Sequence, residues 1–96
     1  MSTTDDPEVF IDDDDGYLAW LYDHARGYVL NAARKPTASY LMLHRSDCST
    51  IGNVPANGLA WTSALLKACS DDRLMIEQWA RAETGGVPSL CGRCQP

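Results

Sequence analysis

The sequence predicts a small α+β domain in which a helix, a β-hairpin with a possible third strand, a second helix and a C-terminal metal-binding turn follow one another. Three observations predict it: two segments with apolar residues at helical spacing, two short alternating segments between them, and a pattern of His and Cys residues typical of metal ligands. The 96 residues allow one domain. A hydrophobic content of 45% is ordinary for a globular chain.

The first fifteen residues are strongly acidic. They contain seven Asp and Glu residues and no Lys or Arg, whereas the rest of the chain carries all eight basic residues and six acidic ones. A run of like charge repels itself and stays solvated. We therefore expect residues 1–15 to form an acidic, disordered tail and residues 16–96 to form the folded, metal-binding domain.

The first helix is predicted over residues 16–26. Asp15 is a suitable N-cap, and Gly27 is a suitable residue to end the helix. Apolar residues recur at helical spacing within the segment, at Tyr17, Leu18, Leu21 and Ala25.

A β-hairpin is predicted to follow the first helix. Residues 28–31 are typical of one strand and residues 39–45 of its partner, and Pro36 interrupts the pairing between them. Because side chains alternate along a strand, Tyr40, Met42 and His44 are expected on one face.

The segment after the hairpin is harder to interpret. Residues 59–69 are ambiguous between strand and helix, and a short third strand is the preferred interpretation. Ser70 is then expected to cap a second helix over residues 71–83, which Gly85 and Gly86 end.

Four side chains have the spacing of a structural zinc site. They read His-x3-Cys … Cys-x2-Cys and are His44, Cys48, Cys91 and Cys94. Thiolate and imidazole suit Zn²⁺, and four such ligands close a tetrahedral site with no position left for a substrate. The sequence therefore predicts a zinc-stabilised domain with a C-terminal zinc knuckle and no catalytic residues. Cys69 is an alternative ligand in place of His44, which would make the site all-cysteine.

The setting expected for these cysteines is the cytoplasm. The N-terminal residues are polar and acidic, where a secretory signal needs a basic and then an apolar stretch. No apolar run approaches the roughly 20 residues that a membrane span requires. In a reducing compartment cysteines bind metal more often than they form disulfides, although two disulfides remain an alternative.

Two blocks of the chain resemble small zinc modules related to the metal-binding domain of the Ada DNA-repair protein. Residues 40–51 read Tyr-Leu-Met-Leu-His-Arg-Ser-Asp-Cys-Ser-Thr-Ile, and residues 88–96 read Pro-Ser-Leu-Cys-Gly-Arg-Cys-Gln-Pro. In that group, the corresponding blocks are a His-x3-Cys half and a Pro-Cys-x-x-Cys-x-Pro ending after a short helix. The resemblance implies a zinc module with the same four ligands, and it suggests contact with nucleic acid.

Five basic residues are candidates for that contact. Four lie around the predicted hairpin and one within the Cys-x2-Cys turn: Arg26, Arg34, Lys35, Arg45 and Arg93. Clustered basic residues with nearby aromatics are typical of a surface that binds the phosphates of DNA or RNA. The alternative function is a protein–protein interaction adaptor with a structural zinc site, which the net charge of −5 favours. Neither a small-molecule substrate nor a membrane is indicated as a partner.

Overall fold

A computed structural model describes residues 6–48, 51 and 61–96. Within these residues, five strands form one sheet in the order β1-β4-β2-β3-β5. Neighbouring strands are antiparallel, except that β3 and β5 run parallel. The strands are β1 Glu8–Phe10, β2 Tyr28–Ala33, β3 Leu41–Arg45, β4 Leu65–Ser70 and β5 Ser89–Leu90.

Two helices lie wholly within the described residues, α1 over Asp14–Asp23 and α2 over Arg73–Thr84. Both begin at an Asp side chain that accepts a hydrogen bond from a backbone N–H of the first turn: Asp13 from Gly16 in α1, and Asp72 from Leu74 in α2. Gly85 ends α2 in the left-handed conformation, with φ of 75°, which glycine adopts without a steric penalty. Neither helix is long and apolar enough to cross a membrane.

The helices cover opposite faces of the sheet. In the strand register, Leu30 pairs with Leu43 and with Ala68, and these three residues are buried in one cluster with Ile76 and Ala80 of α2. We call this the α2 face. Residues one position away point to the other side, because side chains alternate along a strand.

The second face lies under α1, and we call it the α1 face. There Val29 pairs with His44 on one side and with Cys69 on the other. Tyr17 and Trp20 of α1 pack against Val29 and Cys69. Of the apolar stripe predicted on the first helix, Tyr17 and Leu21 pack on this face, which carries His44. Leu18 is 41% exposed and Ala25 lies beyond the helix, so Trp20 supplies the second buried side chain instead.

The α+β class and the elements predicted from the sequence are present, with shifted boundaries. The first helix was predicted over residues 16–26 and lies at Asp14–Asp23, because the carboxylate of Asp13, not Asp15, caps it. The second was predicted over residues 71–83 and lies at Arg73–Thr84, because Asp72, not Ser70, caps it. The hairpin strands were predicted over residues 28–31 and 39–45 and lie at Tyr28–Ala33 and Leu41–Arg45. The possible third strand is β4, which lies between β1 and β2. Residues 59 and 60 of the predicted segment are outside the described ranges.

The acidic N-terminal segment differs from its prediction. The sequence predicted a tail over residues 1–15, whereas Glu8–Phe10 form the edge strand β1 against β4. The carboxylate of Asp14 accepts hydrogen bonds from the backbone N–H groups of Trp61 and Thr62 and from the hydroxyl of Thr62. The physical reason is that apolar Val9 and Phe10 supply a strand, and that Asp13 and Asp14 are hydrogen-bond acceptors as well as charges. Residues 1–5 of the predicted tail are outside the described residues.

Candidate metal centre

The four predicted ligands come from two segments that the sheet brings side by side. His44 lies in β3, and Cys48 follows in the next turn. The backbone N–H of Cys48 donates to the carbonyl of Arg45 and closes that turn. Cys91 follows the short strand β5, and its N–H donates to the carbonyl of Leu43. This bond continues the parallel β3–β5 ladder and holds the C-terminal segment against β3. The Cys-x2-Cys pair consequently lies next to the His-x3-Cys pair.

The ligand atoms of these residues converge. A ring nitrogen of His44 and the sulphur atoms of Cys48, Cys91 and Cys94 all lie within 4.8 Å of one another. The Sγ atoms of Cys48 and Cys91 are 4.0 Å apart, far longer than the roughly 2.05 Å of a disulfide bond. Two sulphur ligands of a tetrahedral zinc ion, with Zn–S distances of about 2.3 Å, lie about 3.8 Å apart. The cluster therefore has the donor set and the spacing of a four-ligand metal site, consistent with zinc.

Backbone N–H groups prepare the Cys-x2-Cys turn for negative charge. The N–H of Cys94, and after it that of Arg93, hold the pKa of the Cys91 thiol below its usual value, although burial opposes them. The turn is closed by the N–H of Gln95, which donates to the carbonyl of Cys91. Burial raises the pKa of Cys94 to about 11. Its sulphur accepts a hydrogen bond of 3.3 Å from the N–H of Arg45. This turn has the hydrogen bonds expected of a metal knuckle.

His44 is neutral at physiological pH, as a metal ligand must be. Burial, and secondarily the charge of Lys67, lower the pKa of its imidazole to about 4. Its Nε2 atom lies 3.2 Å from the side-chain amide nitrogen of Asn31, in the middle of β2. Sequence reasoning missed both Asn31 and Lys67. Each is a polar residue within an otherwise apolar strand segment, which is the signal that could have identified them.

Cys69 is separated from the cluster. It lies in β4, 1% exposed, and is not among the described residues whose ligand atoms converge. Burial raises the pKa of its thiol well above the usual value. The geometry thus groups His44, rather than the alternative Cys69, with the other three cysteines.

The five basic residues do not form one surface. Arg26 and Arg45 line a cavity of about 220 Å³ together with Tyr28 and Asp47. Arg34 lies at the other end of β2, roughly 20 Å away for a six-residue strand. There it donates to both carboxylate oxygens of Asp12 and to the carbonyl of Ser63.

The remaining two basic residues also lie at opposite ends of β2. Lys35 follows Arg34 at the far end of β2 and is exposed. Arg93 is exposed in the Cys-x2-Cys turn, whose Cys94 touches the backbone of Arg45. The predicted hairpin face is therefore divided, and Arg26, Arg45 and Arg93 belong to the end near the metal centre.

Comparisons of the chain with protein-family models, with curated proteins and with solved structures gave no match. The resemblance to Ada-type modules therefore depends on the two quoted sequence blocks and on the convergence of the four side chains they contain.

Proposed function

We propose that this chain is a non-catalytic module in which His44, Cys48, Cys91 and Cys94 hold one structural Zn²⁺. The observation that supports it is the convergence of four soft or borderline ligands within 4.8 Å. Their four donor atoms complete a tetrahedral coordination shell, so no position remains for a substrate or an activated water. The ion would tie β3 to the C-terminal segment, which is also attached by the two-residue strand β5, by the hydrogen bond from Arg45 to Cys94 and by that from Arg73 to the carbonyl of Pro96.

Metal analysis of variants tests the ligand set. We expect one zinc per chain in the wild type and in Cys69→Ala, and a value far below one in His44→Ala. Substitution with Co²⁺ provides a second readout, because three thiolates and one imidazole around tetrahedral Co²⁺ give intense visible absorption. A wild-type protein that neither contains nor takes up metal would disprove the centre. Loss of zinc in Cys69→Ala with retention in His44→Ala would make the site all-cysteine.

The partner that we propose for this module is DNA or RNA, bound at the cavity lined by Arg26, Tyr28 and Arg45, which we call the Arg26–Arg45 groove. Two guanidinium groups beside a half-buried aromatic ring support it, because guanidinium binds phosphate and an aromatic ring stacks on bases. Exposed Arg93 adds a positive charge at the same end of the sheet. Within the groove, Arg45 also lies 3.5 Å from Asp47, an exposed pair that a phosphate can displace at little cost.

Charge-matched variants test this partner. Binding to single- and double-stranded DNA and RNA should weaken steeply as salt rises, because phosphate contacts release counterions. Arg26→Gln and Arg45→Gln should each weaken binding, whereas Lys35→Gln, the same charge change at the far end of β2, should not.

Absence of nucleic-acid binding would favour the second candidate, a protein–protein interaction adaptor. Its specific support is the exposure of large apolar side chains, Tyr22 at 89% and Val87 at 70%. If the wild type shows no affinity for nucleic acid at roughly 50 mM salt, where phosphate contacts are strong, the adaptor becomes the better interpretation.

A further inference from the structure

A buried amide lies against the imidazole of the metal centre. Asn31 is 8% exposed and His44 is 5% exposed, and the Asn31 amide nitrogen lies 3.2 Å from His44 Nε2. The Oδ1 atom of Asn31 is also buried and has no hydrogen-bond partner among the residues that the structure describes. Buried polar atoms are hydrogen-bonded in the great majority of cases, so this oxygen calls for an explanation.

The contact determines which nitrogen of His44 faces the metal. An imidazole nitrogen carries either one proton or one lone pair in the ring plane, so it cannot face an amide at hydrogen-bond distance and also bind an ion. Because Nε2 faces Asn31, Nδ1 is the atom that can bind. A neutral imidazole bound through Nδ1 carries its proton on Nε2. That N–H needs an acceptor, which the amide nitrogen of Asn31 cannot be.

We infer that Asn31 is a positioning residue of the metal centre, and that its Oδ1 accepts a hydrogen bond from Nε2–H of metal-bound His44. This requires only that the amide rotate about its Cβ–Cγ bond, which exchanges two groups of nearly the same shape. The hydrogen bond selects Nδ1 as the ligand atom and fixes the plane of the ring. The inference rests on the metal centre proposed above.

An amide suits this position better than the carboxylate that often supports a metal-bound His. Three thiolates and one Zn²⁺ give the centre a formal charge of −1, and a buried carboxylate beside it would add a second negative charge. Asn31 offers the same acceptor geometry without a charge. Lys67, which pairs with Asn31 in the strand register, is the buried cation on the same face.

The test uses the full chain loaded with ¹¹³Cd²⁺, which replaces zinc and is visible by NMR, and with ¹⁵N-labelled histidine. We expect the spin coupling between metal and nitrogen at His44 Nδ1, and a proton bonded to Nε2. Coupling at Nε2 would overturn the inference while leaving the metal centre intact. A wild-type chain that binds no Cd²⁺ would overturn the metal centre itself and the inference with it.

Two substitutions of similar size supply the affinity test. Asn31→Leu removes the acceptor and should lower zinc affinity about 10- to 100-fold, as loss of a hydrogen bond to a ligand typically does. Asn31→Asp keeps the acceptor but adds a negative charge beside the centre, so its loss of zinc affinity should be clearly smaller than that of Asn31→Leu without reaching the wild-type value. A circular dichroism spectrum of the zinc-saturated Asn31→Leu protein checks that it is folded. Equal losses in both variants, or no loss in Asn31→Leu, would disprove the positioning role.

Discussion

The α2 face of the sheet is buried by aliphatic residues, whereas the α1 face has His44, Asn31, Lys67 and four cysteines among or beside its apolar side chains. On the α2 face, Ile76 and Ala80 meet Leu30, Leu43 and their neighbours, and the packing needs no polar partner. On the α1 face, Tyr17 and Trp20 share the interior with groups that are costly to bury unless they are bonded.

The two faces should differ in how far their stability depends on the proposed metal ion. Burial of apolar surface stabilises the α2 face whatever the solution contains. The α1 face combines thiols, an imidazole, an amide and an ammonium group, and the proposed metal ion would bind three of the thiols and the imidazole. We therefore expect stability to depend on metal mainly through the α1 face and the C-terminal segment attached to it.

Metal removal should have the largest effect. Structural zinc contributes on the order of 10 kcal/mol in small domains, comparable with their whole stability. We expect a chelator to unfold the zinc-loaded protein wholly or largely, as seen by circular dichroism, and added zinc to restore the signal. A thermal melt that is the same with and without the chelator would show that the α1 face does not need the ion.

Truncation of a buried side chain on the α2 face should have the second-largest effect on stability. Ile76 is 0% exposed, and Ile76→Ala should destabilise the zinc-loaded protein by about 2 to 5 kcal/mol through lost contacts and a cavity. Leu74→Ala, at a position 53% exposed on the same helix, is the control and should change stability by less than about 0.5 kcal/mol. Zinc content should remain one per chain in both. A loss of zinc in Ile76→Ala would show that the two faces are coupled.

Lys67 allows the polar content of the α1 face to be tested by pH. It is 3% exposed, and burial lowers its pKa from 10.5 to about 8. Between these values the unfolded chain holds a proton that the folded chain has released, so the wild type should gain stability as pH rises from 8 to 10.5.

The corresponding substitution is Lys67→Met, which keeps the length of the side chain and removes the charge. It should stabilise the protein by about 1 to 2 kcal/mol at pH 7, and this advantage should shrink across the pH range in which the wild type gains stability. Denaturant unfolding at several pH values measures the difference, and Lys35→Met at an exposed site is the control. A destabilised Lys67→Met protein at pH 7 would mean that the ammonium group stabilises the metal centre.

The smallest effect concerns one hydrogen bond under α1. The hydroxyl of fully buried Tyr17 donates to the carbonyl of Ile51 at 2.9 Å. Tyr17→Phe keeps the ring and leaves that carbonyl without this donor, so we expect a loss of about 1 kcal/mol. Tyr22→Phe, on the same helix but 89% exposed, should be neutral in the same unfolding experiment.

The sequence contained the elements but not their arrangement. Apolar spacing located both helices, and alternation located the hairpin, because these signals are local. The order β1-β4-β2-β3-β5 depends on pairing between strands distant in sequence, such as Asn31 with Lys67, and no local pattern encodes that pairing. The acidic segment was misjudged for a related reason: charge suggested solvation, while β1 formed because β4 offers it an edge.

The residues of the candidate site also differ in whether the sequence alone could identify them. His44, Cys48, Cys91 and Cys94 could be named from spacing and ligand chemistry alone. Asn31 could not be named in this way, because its proposed role depends on the register between β2 and β3. That register pairs Val29 with His44, and the amide of Asn31, two residues further along β2, therefore lies next to the imidazole. The basic residues were grouped by closeness in sequence, but a strand separates Arg26 from Arg34 in space.

The separation of the His-x3-Cys pair from the Cys-x2-Cys pair along the chain has a further consequence. Cys48 and Cys91 are 43 positions apart, so an ion held by both closes a large loop. A permanent bond closing a loop of this length restricts the unfolded chain by about 4 kcal/mol in the polymer model used for disulfides. A metal can act as this cross-link in a reducing environment that would break a disulfide. The cross-link is also reversible, because competition for the ion opens the loop again.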